Sequence, residues 1–360
     1  MKLKLISAGV AITAVITAGC AVGAPHGVQA SVLSTNVSIG LPKGSIGSAG
    51  PVVGVNLYAV TNYSAQQTTT YGERMLHYIK TTLHAGAVDL VWNMYSPGYG
   101  SNVVLTKKNT TLTAANIGIL TKMAQHDGLF VEYRPLLFVE TKGNTWEGLI
   151  KPKNPTKWFN SYYQQNLPYL KMAQQDHITE YVIGTEMKAL TPAKQWKSFL
   201  AKSAKVFRGP ISYAQNQYVY FRPNTDLPPT TLTGVDMYEP LNVSASAPLS
   251  KVEAAYDKFF AATPTSILRR SAIQETGIEA RAGAYQEPPN LTLTGKLDET
   301  IQKNWFIAGC AAAKKFHLRA IFFWKADLAD NPAHPADSLS TWEGRLGAQA
   351  ISDCASIIKG

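Results

Sequence analysis

Short β-rich segments alternate with longer helical patterns from residue 52 to residue 358, and this alternation limits the fold more than any other feature. Such alternation is typical of βαβ units and of a parallel sheet. Eight strands are predicted, at 52–58, 87–93, 129–137, 180–183, 211–214, 234–237, 267–273 and 320–324. Seven helices are predicted, at 71–84, 113–127, 156–176, 192–207, 251–262, 297–316 and 341–358. This pattern predicts an α/β fold, a single (β/α)8 or TIM barrel.

The main rival is a doubly wound open sheet, but no Gly-rich phosphate loop follows the first strand. Residues 51–360 contain no low-complexity break, and a (β/α)8 barrel is one unit of about 250 residues or more. We therefore expect one catalytic domain over 51–360. The preceding residues 31–50 are rich in Ser and Gly and are interpreted as a linker.

Residues 1–30 have the features of a secretion signal, with Lys2 and Lys4 followed by an apolar stretch and a small-residue cleavage site ending at Ala30. The alternative is a lipoprotein anchored through Cys20, although a threonine stands where that motif usually has an aliphatic residue. Ordinary secretion is favoured. We expect a secreted, extracellular and monomeric protein.

The charge is basic but scattered. Removal of the signal would take away two lysines and no acids, so the formal net charge of +10 would become +8. The basic residues form only pairs, whereas a nucleic-acid-binding protein clusters them, so no nucleic-acid partner is expected. A solvated basic surface that associates with an anionic cell wall or membrane surface is the favoured interpretation. The alternative is an acidic polysaccharide substrate.

Cysteine usage leaves one question open. Cys310 and Cys354 remain after signal removal, and both fall in predicted helices. A disulfide between neighbouring helices and two buried thiols are both compatible with the sequence. The sequence shows no Cys/His spacing for zinc, and we expect neither a metal nor a cofactor.

Two glutamates stand at the ends of predicted strands. Glu186 follows the fourth strand, and Glu275 ends the seventh. Catalytic residues of a (β/α)8 barrel come from the carboxyl ends of several strands, so these two are expected to meet. A glutamate after a strand is usually a solvated residue that starts a helix, so position alone favours that interpretation for each of them. Glu132 and Glu180 lie in mid-strand and are expected to point outward or to make paired contacts.

Several motifs occur in a fixed order: Trp146-Glu-Gly-Leu-Ile, Trp158-Phe-Asn-Ser-Tyr, Tyr181-Val-Ile-Gly-Thr-Glu-Met, Gly234-Val-Asp-Met-Tyr-Glu-Pro-Leu, Gln274-Glu-Thr-Gly and Ile321-Phe-Phe-Trp. Together they resemble glycoside hydrolase family 113, whose known members are β-mannanases of the retaining clan A of (β/α)8 glycosidases. The resemblance extends from about residue 53 to residue 324.

The resemblance implies roles for individual residues. It implies that Glu186 is the acid/base and Glu275 the nucleophile. Tyr238, after the sixth strand, would hold the nucleophile by a hydrogen bond, and Trp324 would form the floor of a sugar subsite. Arg134 in the third strand would be the basic residue near the nucleophile, unless it only satisfies a buried carboxylate.

Further substrate-binding candidates come from the strand ends and loops. Clan A commonly has an asparagine before the acid/base, whereas Thr185 stands here, and Asn216 at the end of the fifth strand is a substitute. Trp146 is a candidate sugar platform, since a pyranose face stacks on an indole. Tyr58, ending the first strand, is a cleft-facing candidate. Tyr218, in the loop after the fifth strand, either lines a subsite or packs within the loop.

The resulting functional prediction is a secreted retaining β-glycoside hydrolase, similar to an endo-β-1,4-mannanase, that acts on a polysaccharide or oligosaccharide. One alternative is a non-catalytic carbohydrate-binding barrel at the cell wall, and another is a retaining hydrolase of a different β-glycan. An esterase is disfavoured, because the sequence has no Gly-x-Ser-x-Gly motif.

Overall fold

A computed structural model describes residue 41 and residues 44–222, 227–335 and 340–359. Eight parallel strands close a barrel in chain order, from β1 to β8 and back to β1. The strands are β1 Val52–Ala59, β2 Ala87–Ser96, β3 Phe130–Val139, β4 Glu180–Thr185, β5 Ile211–Asn216, β6 Thr233–Asp236, β7 Ser271–Thr276 and β8 Ala320–Asp327. The predicted (β/α)8 barrel is confirmed.

Helices surround the barrel. They are α1 Ala65–Thr81, α2 Ala114–His126, α3 Pro155–Gln175, α4 Gln195–Ser203, α5 Gln217–Tyr220, α6 Leu249–Ala261, α7 Thr265–Leu268, α8 Glu299–Lys315 and α9 Leu346–Lys359. Two short 3₁₀ helices, Glu147–Leu149 and Lys188–Leu190, lie after β3 and β4. No helix in these described segments is both long and apolar enough to cross a membrane.

One predicted strand has the wrong start. The seventh strand was expected over 267–273, but Thr265–Leu268 is a helical turn after Pro264, and β7 begins at Ser271. A short apolar run fits a strand and a helical turn equally well, so its periodicity could not separate the two. The carboxyl end of β7, which carries Glu275, is unaffected.

Helix starts follow from local side chains. Ser64 caps α1 by accepting from the backbone of Gln67, whose side chain closes a capping box. Asn154 caps α3 by accepting from the backbone of Lys157, and Pro155 occupies the first turn. These caps satisfy backbone N–H groups that have no partner within the helix. They fix where the chain leaves each loop above the barrel.

The amino-terminal face of the barrel is covered by residues 44–50. Ile46 is buried against Ala320 and Phe322, and its carbonyl accepts a hydrogen bond from Arg319 at 3.2 Å. Gly47 lies so close to Arg319 that a Cβ there would come within 2.2 Å of its backbone oxygen. Residues 44–50 were expected to belong to a linker, but they pack on the barrel. The rest of the predicted linker, up to residue 40, and the predicted signal lie outside the described residues.

A disulfide joins the last two long helices. Cys310 of α8 and Cys354 of α9 are bonded, with their Cα atoms 5.6 Å apart. This answers the question that the sequence left open. Both cysteines are fully buried and lie on the outer layer of helices.

Candidate active site

The carboxyl ends of the strands bring the predicted residues to one face of the barrel. Glu186 directly follows β4, Asn216 ends β5, and Glu275 lies next to the last residue of β7. Arg134 lies inside β3, and Trp324 lies in β8. Residues from five different strands therefore contribute, as expected for a barrel of this class.

Glu186 accepts two hydrogen bonds, one on each carboxyl oxygen. Asn216 Nδ2 donates to Oε1 at 2.8 Å, and Trp146 Nε1 donates to Oε2 at 2.7 Å. The backbone of Glu186 has φ of 46°, in the left-handed region. A non-glycine residue there costs about 1–3 kcal/mol, so the surrounding structure must hold it in place.

Burial, together with the negative charge of Glu275, raises the pKa of Glu186 to about 7. The hydrogen bonds from Asn216 and Trp146 work against this rise, because they stabilise the ionised form. A carboxyl with a pKa near 7 can both give and accept a proton at neutral pH.

Glu275 is buried, with only 6% of its surface exposed, and its carboxyl oxygens contact two groups. The Tyr58 hydroxyl donates to Oε1 at 2.8 Å, and Arg134 Nη1 lies 3.5 Å from Oε2. Burial, together with the Glu275 charge, raises the pKa of Tyr58 well above its usual value, so that hydroxyl keeps its proton. The two glutamates thus occupy different environments.

Arg134 is fixed by buried partners beneath the nucleophile. Its Nε donates to Asp89 Oδ2 at 2.7 Å, and its Nη2 donates to the Gln274 carbonyl at 3.4 Å. Asn56 donates to the same Asp89 oxygen at 2.8 Å. Asp236 Oδ1 lies 3.7 Å from Arg134 Nη1, and burial, with the Glu275 charge, raises the pKa of Asp236 well above its usual value. The predicted place of Arg134 near Glu275 agrees with this geometry.

Tyr238 does not make the hydrogen bond that was expected of it. Within the described part of the chain, the hydroxyl that bonds Glu275 is that of Tyr58. The reason is register: Asp236, the last residue of β6, pairs with Glu275, so Tyr238 lies two residues beyond that level. Tyr238 is still close enough that the Glu275 charge, after burial, raises its pKa.

Trp324 contacts Tyr58, whose hydroxyl in turn donates to the nucleophile Glu275. Its indole Nε1 lies 3.2 Å from the Tyr58 hydroxyl, and the two rings are edge-on with centroids 6.5 Å apart. A Cβ on Gly277 would come within 2.9 Å of the indole ring, so only glycine leaves this ring its place. Trp324 is half-buried and is followed by a cis peptide bond to Lys325.

Trp146 lies in the loop after β3, and its indole packs directly on Gly148, where a Cβ would come within 2.3 Å of a ring carbon. The indole N–H of Trp146 contacts Glu186, a contact that the sequence analysis did not predict. The next residue, Glu147, is a further buried carboxyl, and sequence reasoning missed it. Burial, followed by the charge of Glu186, raises the pKa of Glu147 well above its usual value. Its only sequence signal was its place in the Trp146 motif.

The other strand glutamates make paired contacts, as expected. Glu180 forms a buried ion pair with Arg319, with oxygen–nitrogen distances of 2.7 and 3.0 Å. Glu132 accepts a hydrogen bond from the Gln274 side chain. In the described segments, no group of three or more His, Cys, Asp or Glu side chains could hold a metal ion.

A model of glycoside hydrolase family 113 matches residues 58–339. The chain belongs to glycoside hydrolase family 113. It is therefore a glycoside hydrolase, and its substrate is a polysaccharide or an oligosaccharide. A comparison with curated protein sequences gives no match.

Solved structures from family 113 and from another glycoside hydrolase family have a similar fold. The GH113 β-mannanase AaManA from Alicyclobacillus acidocaldarius, in complex with ManMIm, is 17% identical with a TM-score of 0.73, covering 87% of this chain and 100% of its own. A GH113 β-1,4-mannanase is 17% identical with a TM-score of 0.71, covering 85% and 98%. GH5_18 from Streptomyces cattleya, in complex with GlcNAc, is 11% identical with a TM-score of 0.56, covering 86% and 80%.

Proposed function

We propose that this family 113 enzyme hydrolyses β-1,4-linked mannan with retention of anomeric configuration, with Glu186 as acid/base and Glu275 as nucleophile. One observation carries the proposal: two glutamates, near enough for the charge of Glu275 to raise the pKa of Glu186, have different surroundings. Burial and a neighbouring charge keep Glu186 protonated up to a pH of about 7, whereas Tyr58 and Arg134 stabilise the charge of Glu275. A carboxyl that keeps its proton near neutral pH, facing a second carboxylate across the cleaved bond, provides the acid and the nucleophile of a retaining glycosidase.

The first step would use both groups at once. The Glu275 carboxylate attacks the anomeric carbon, and the bond from that carbon to the leaving oxygen breaks as Glu186 gives its proton to that oxygen. A glycosyl ester on Glu275 and a shortened saccharide result. Trp146 and Asn216 then stabilise the ionised Glu186, since both donate to its oxygens.

The second step reverses the roles. Ionised Glu186 takes a proton from a water molecule, and the resulting hydroxide attacks the anomeric carbon and releases the Glu275 carboxylate. Two inversions at one carbon give net retention. Tyr58 donates its hydrogen bond to Glu275 whenever that group is charged, at the start and at the end of the cycle.

The mannan assignment is supported by two solved structures of β-mannanases, each 17% identical to this chain. Sugar contacts are assigned to Trp324, Trp146, Asn216 and Tyr238, all of which lie around the two glutamates. We also propose secretion, from the signal pattern in residues 1–30.

Hydrolysis of a panel of reducing-end-labelled β-linked oligosaccharides tests the proposal. Glu186→Gln and Glu275→Gln are compared with wild type and with Glu73→Gln, a matched change on the exposed side of α1. We expect retained configuration with manno-oligosaccharides and loss of cleavage in the two site variants alone. Cleavage of another β-glycan only would contradict the mannan assignment. Saturable sugar binding without turnover would instead support a carbohydrate-binding barrel.

A further inference from the structure

Two cations lie against one exposed tyrosine beside the acid/base residue. Lys188 follows Glu186 by two residues, and its Nζ lies 5.3 Å from the centre of the Tyr218 ring. Arg222 follows Tyr218 by four residues, and its Cζ lies 5.4 Å from the same ring centre. We call these three residues the cationic cluster. Tyr218 was expected either to line a subsite or to pack within its loop, and 36% of its surface is exposed.

The cationic cluster is tied to the catalytic acid by short contacts. The Lys188 backbone N–H donates to the Glu186 carbonyl at 2.6 Å. The Tyr218 N–H donates to Asn216 Oδ1 at 3.0 Å, and the Nδ2 of that same Asn216 donates to Glu186. Arg222 donates to the Tyr218 carbonyl. The cluster is therefore placed by the same segments, after β4 and β5, that place Glu186.

This location identifies which part of a substrate would reach the cluster. The acid gives its proton to the leaving oxygen, so sugars on the leaving-group side lie next to Glu186. Glu275, which binds the sugar on the other side of the cleaved bond, lies on β7 with Tyr58 of β1 close by. The cluster, on the β4 and β5 side, borders the leaving-group sugars.

Within residues 44–222, 227–335 and 340–359, neither cation of the cluster has an acidic partner. Among the residues that the structure describes, no carboxylate oxygen lies within 4.0 Å of Lys188 or Arg222. Burial raises the pKa of the half-buried Glu239, and the Arg222 charge only partly opposes that rise. The two cations lie 5.3 and 5.4 Å from the same ring centre, so both attract an anion that approaches Tyr218.

We propose that the cationic cluster is a subsite for a uronic acid on the leaving-group side of the cleaved bond. Lys188 supplies a point charge, Arg222 a planar fork suited to a carboxylate, and the Tyr218 ring keeps both at the cleft edge. The preferred substrate is then a β-glycan in which uronic acids accompany neutral sugars. The basic net charge, +10 for the full chain and +8 without the predicted signal, adds attraction toward such a polymer. This inference rests on the proposed glycosidase function.

The test compares two forms of one polymer. β-Mannan is partly oxidised at C6 to uronate, and a portion is methyl-esterified, which removes the charge and keeps the chain. The kcat/KM ratio of acid form to ester form is measured for wild type, Lys188→Ala, Arg222→Ala and Lys197→Ala, whose exposed lysine on α4 is the matched charge control. Because the measured quantity is a ratio, any general loss of activity in a variant cancels.

The wild-type ratio is expected above one at low salt and to fall toward one at high salt. Each cluster variant should lower it by about two- to fivefold, and Lys188→Arg should restore it. The Lys197 variant should match wild type. A wild-type ratio of one, or a drop of equal size in the Lys197 variant, overturns the proposal.

A binding measurement separates this inference from the proposed function. If neither polymer form is cleaved, the mannan function has failed. Calorimetric titration with uronate-containing and methyl-esterified oligosaccharides then decides the subsite without turnover. Tighter binding of the acid form, lost in Lys188→Ala, supports the subsite. Equal binding of both forms rejects it.

Discussion

Replacing Trp146 with phenylalanine tests whether the indole N–H sets the protonation of Glu186. The indole donates to Glu186 Oε2 at 2.7 Å and lowers the pKa, while burial and the Glu275 charge bring that pKa to about 7. Phenylalanine keeps an aromatic ring and removes the donor. The pKa of Glu186 should therefore rise.

The size of the shift follows from the hydrogen bond. A hydrogen bond to a charged group contributes about 1.5–3 kcal/mol, and one pKa unit equals about 1.4 kcal/mol, so complete loss would raise the pKa by about one to two units. Trp146 is half-buried, so water replaces part of the contact, and we expect about one unit. Glu186 must be protonated for the first step. Activity is thus lost as pH rises through this pKa, and the alkaline limb should move from about 7 to about 8.

The assay is the pH profile of kcat/KM with a manno-oligosaccharide, whose sugar leaving group needs protonation. Asn216→Ala removes the other hydrogen bond that lowers the pKa of Glu186, so it should move the limb in the same direction. An alkaline limb that stays in place or moves to lower pH in the Trp146 variant would refute the reasoning.

Three further perturbations follow from the contacts. Tyr58→Phe should lower kcat/KM by about 10- to 100-fold because the nucleophile loses a hydrogen bond, whereas Tyr238→Phe, which makes no such bond, should have a smaller effect; equal losses would contradict this assignment. Gly148→Ala places a methyl group 2.3 Å from a ring carbon of Trp146, so the indole must move away from Glu186 although Trp146 itself is not substituted. The alkaline limb of the pH profile should then move to higher pH, and an unshifted limb would argue against the contact. Replacing Cys310 and Cys354 together with alanine opens a 44-residue loop, which should lower the free energy of unfolding by up to about 4 kcal/mol in urea denaturation and leave kcat at room temperature unchanged; an altered kcat would contradict the placement of the disulfide outside the site.

The barrel could be predicted because the alternation of strand and helix patterns is a local feature of the amino-acid sequence. The meeting of Glu186 and Glu275 also followed, since the carboxyl ends of parallel strands share one face. The hydrogen bond from Tyr58 could not be predicted in the same way. It depends on the stagger between β1, β6 and β7, where Asp236 rather than Tyr238 is level with Glu275. The register is set between two strands that are distant in the sequence, so the residue pattern of either strand alone does not reveal it.

Loop contacts were equally out of reach of sequence reasoning. Trp146 was interpreted as a sugar platform, which stays a prediction; its N–H also contacts Glu186, because Gly148 leaves the space that its ring fills. Ile46 was assigned to a linker on composition, although one apolar side chain is enough to anchor that segment under the barrel. Composition describes an average over a segment, whereas packing depends on a single side chain and the cavity it fills.

The most direct test of the central claim is identification of the covalent intermediate. The enzyme is treated with 2-deoxy-2-fluoro-β-mannosyl fluoride, in which the fluorine slows release of the sugar from the nucleophile, and the labelled peptide is located by mass spectrometry. The account predicts one added fluoromannosyl group on Glu275, no label in Glu275→Gln, and a β-mannosyl azide product when Glu186→Ala is supplied with azide. A label on Glu186 or on another carboxylate, or a product of inverted configuration, would contradict it.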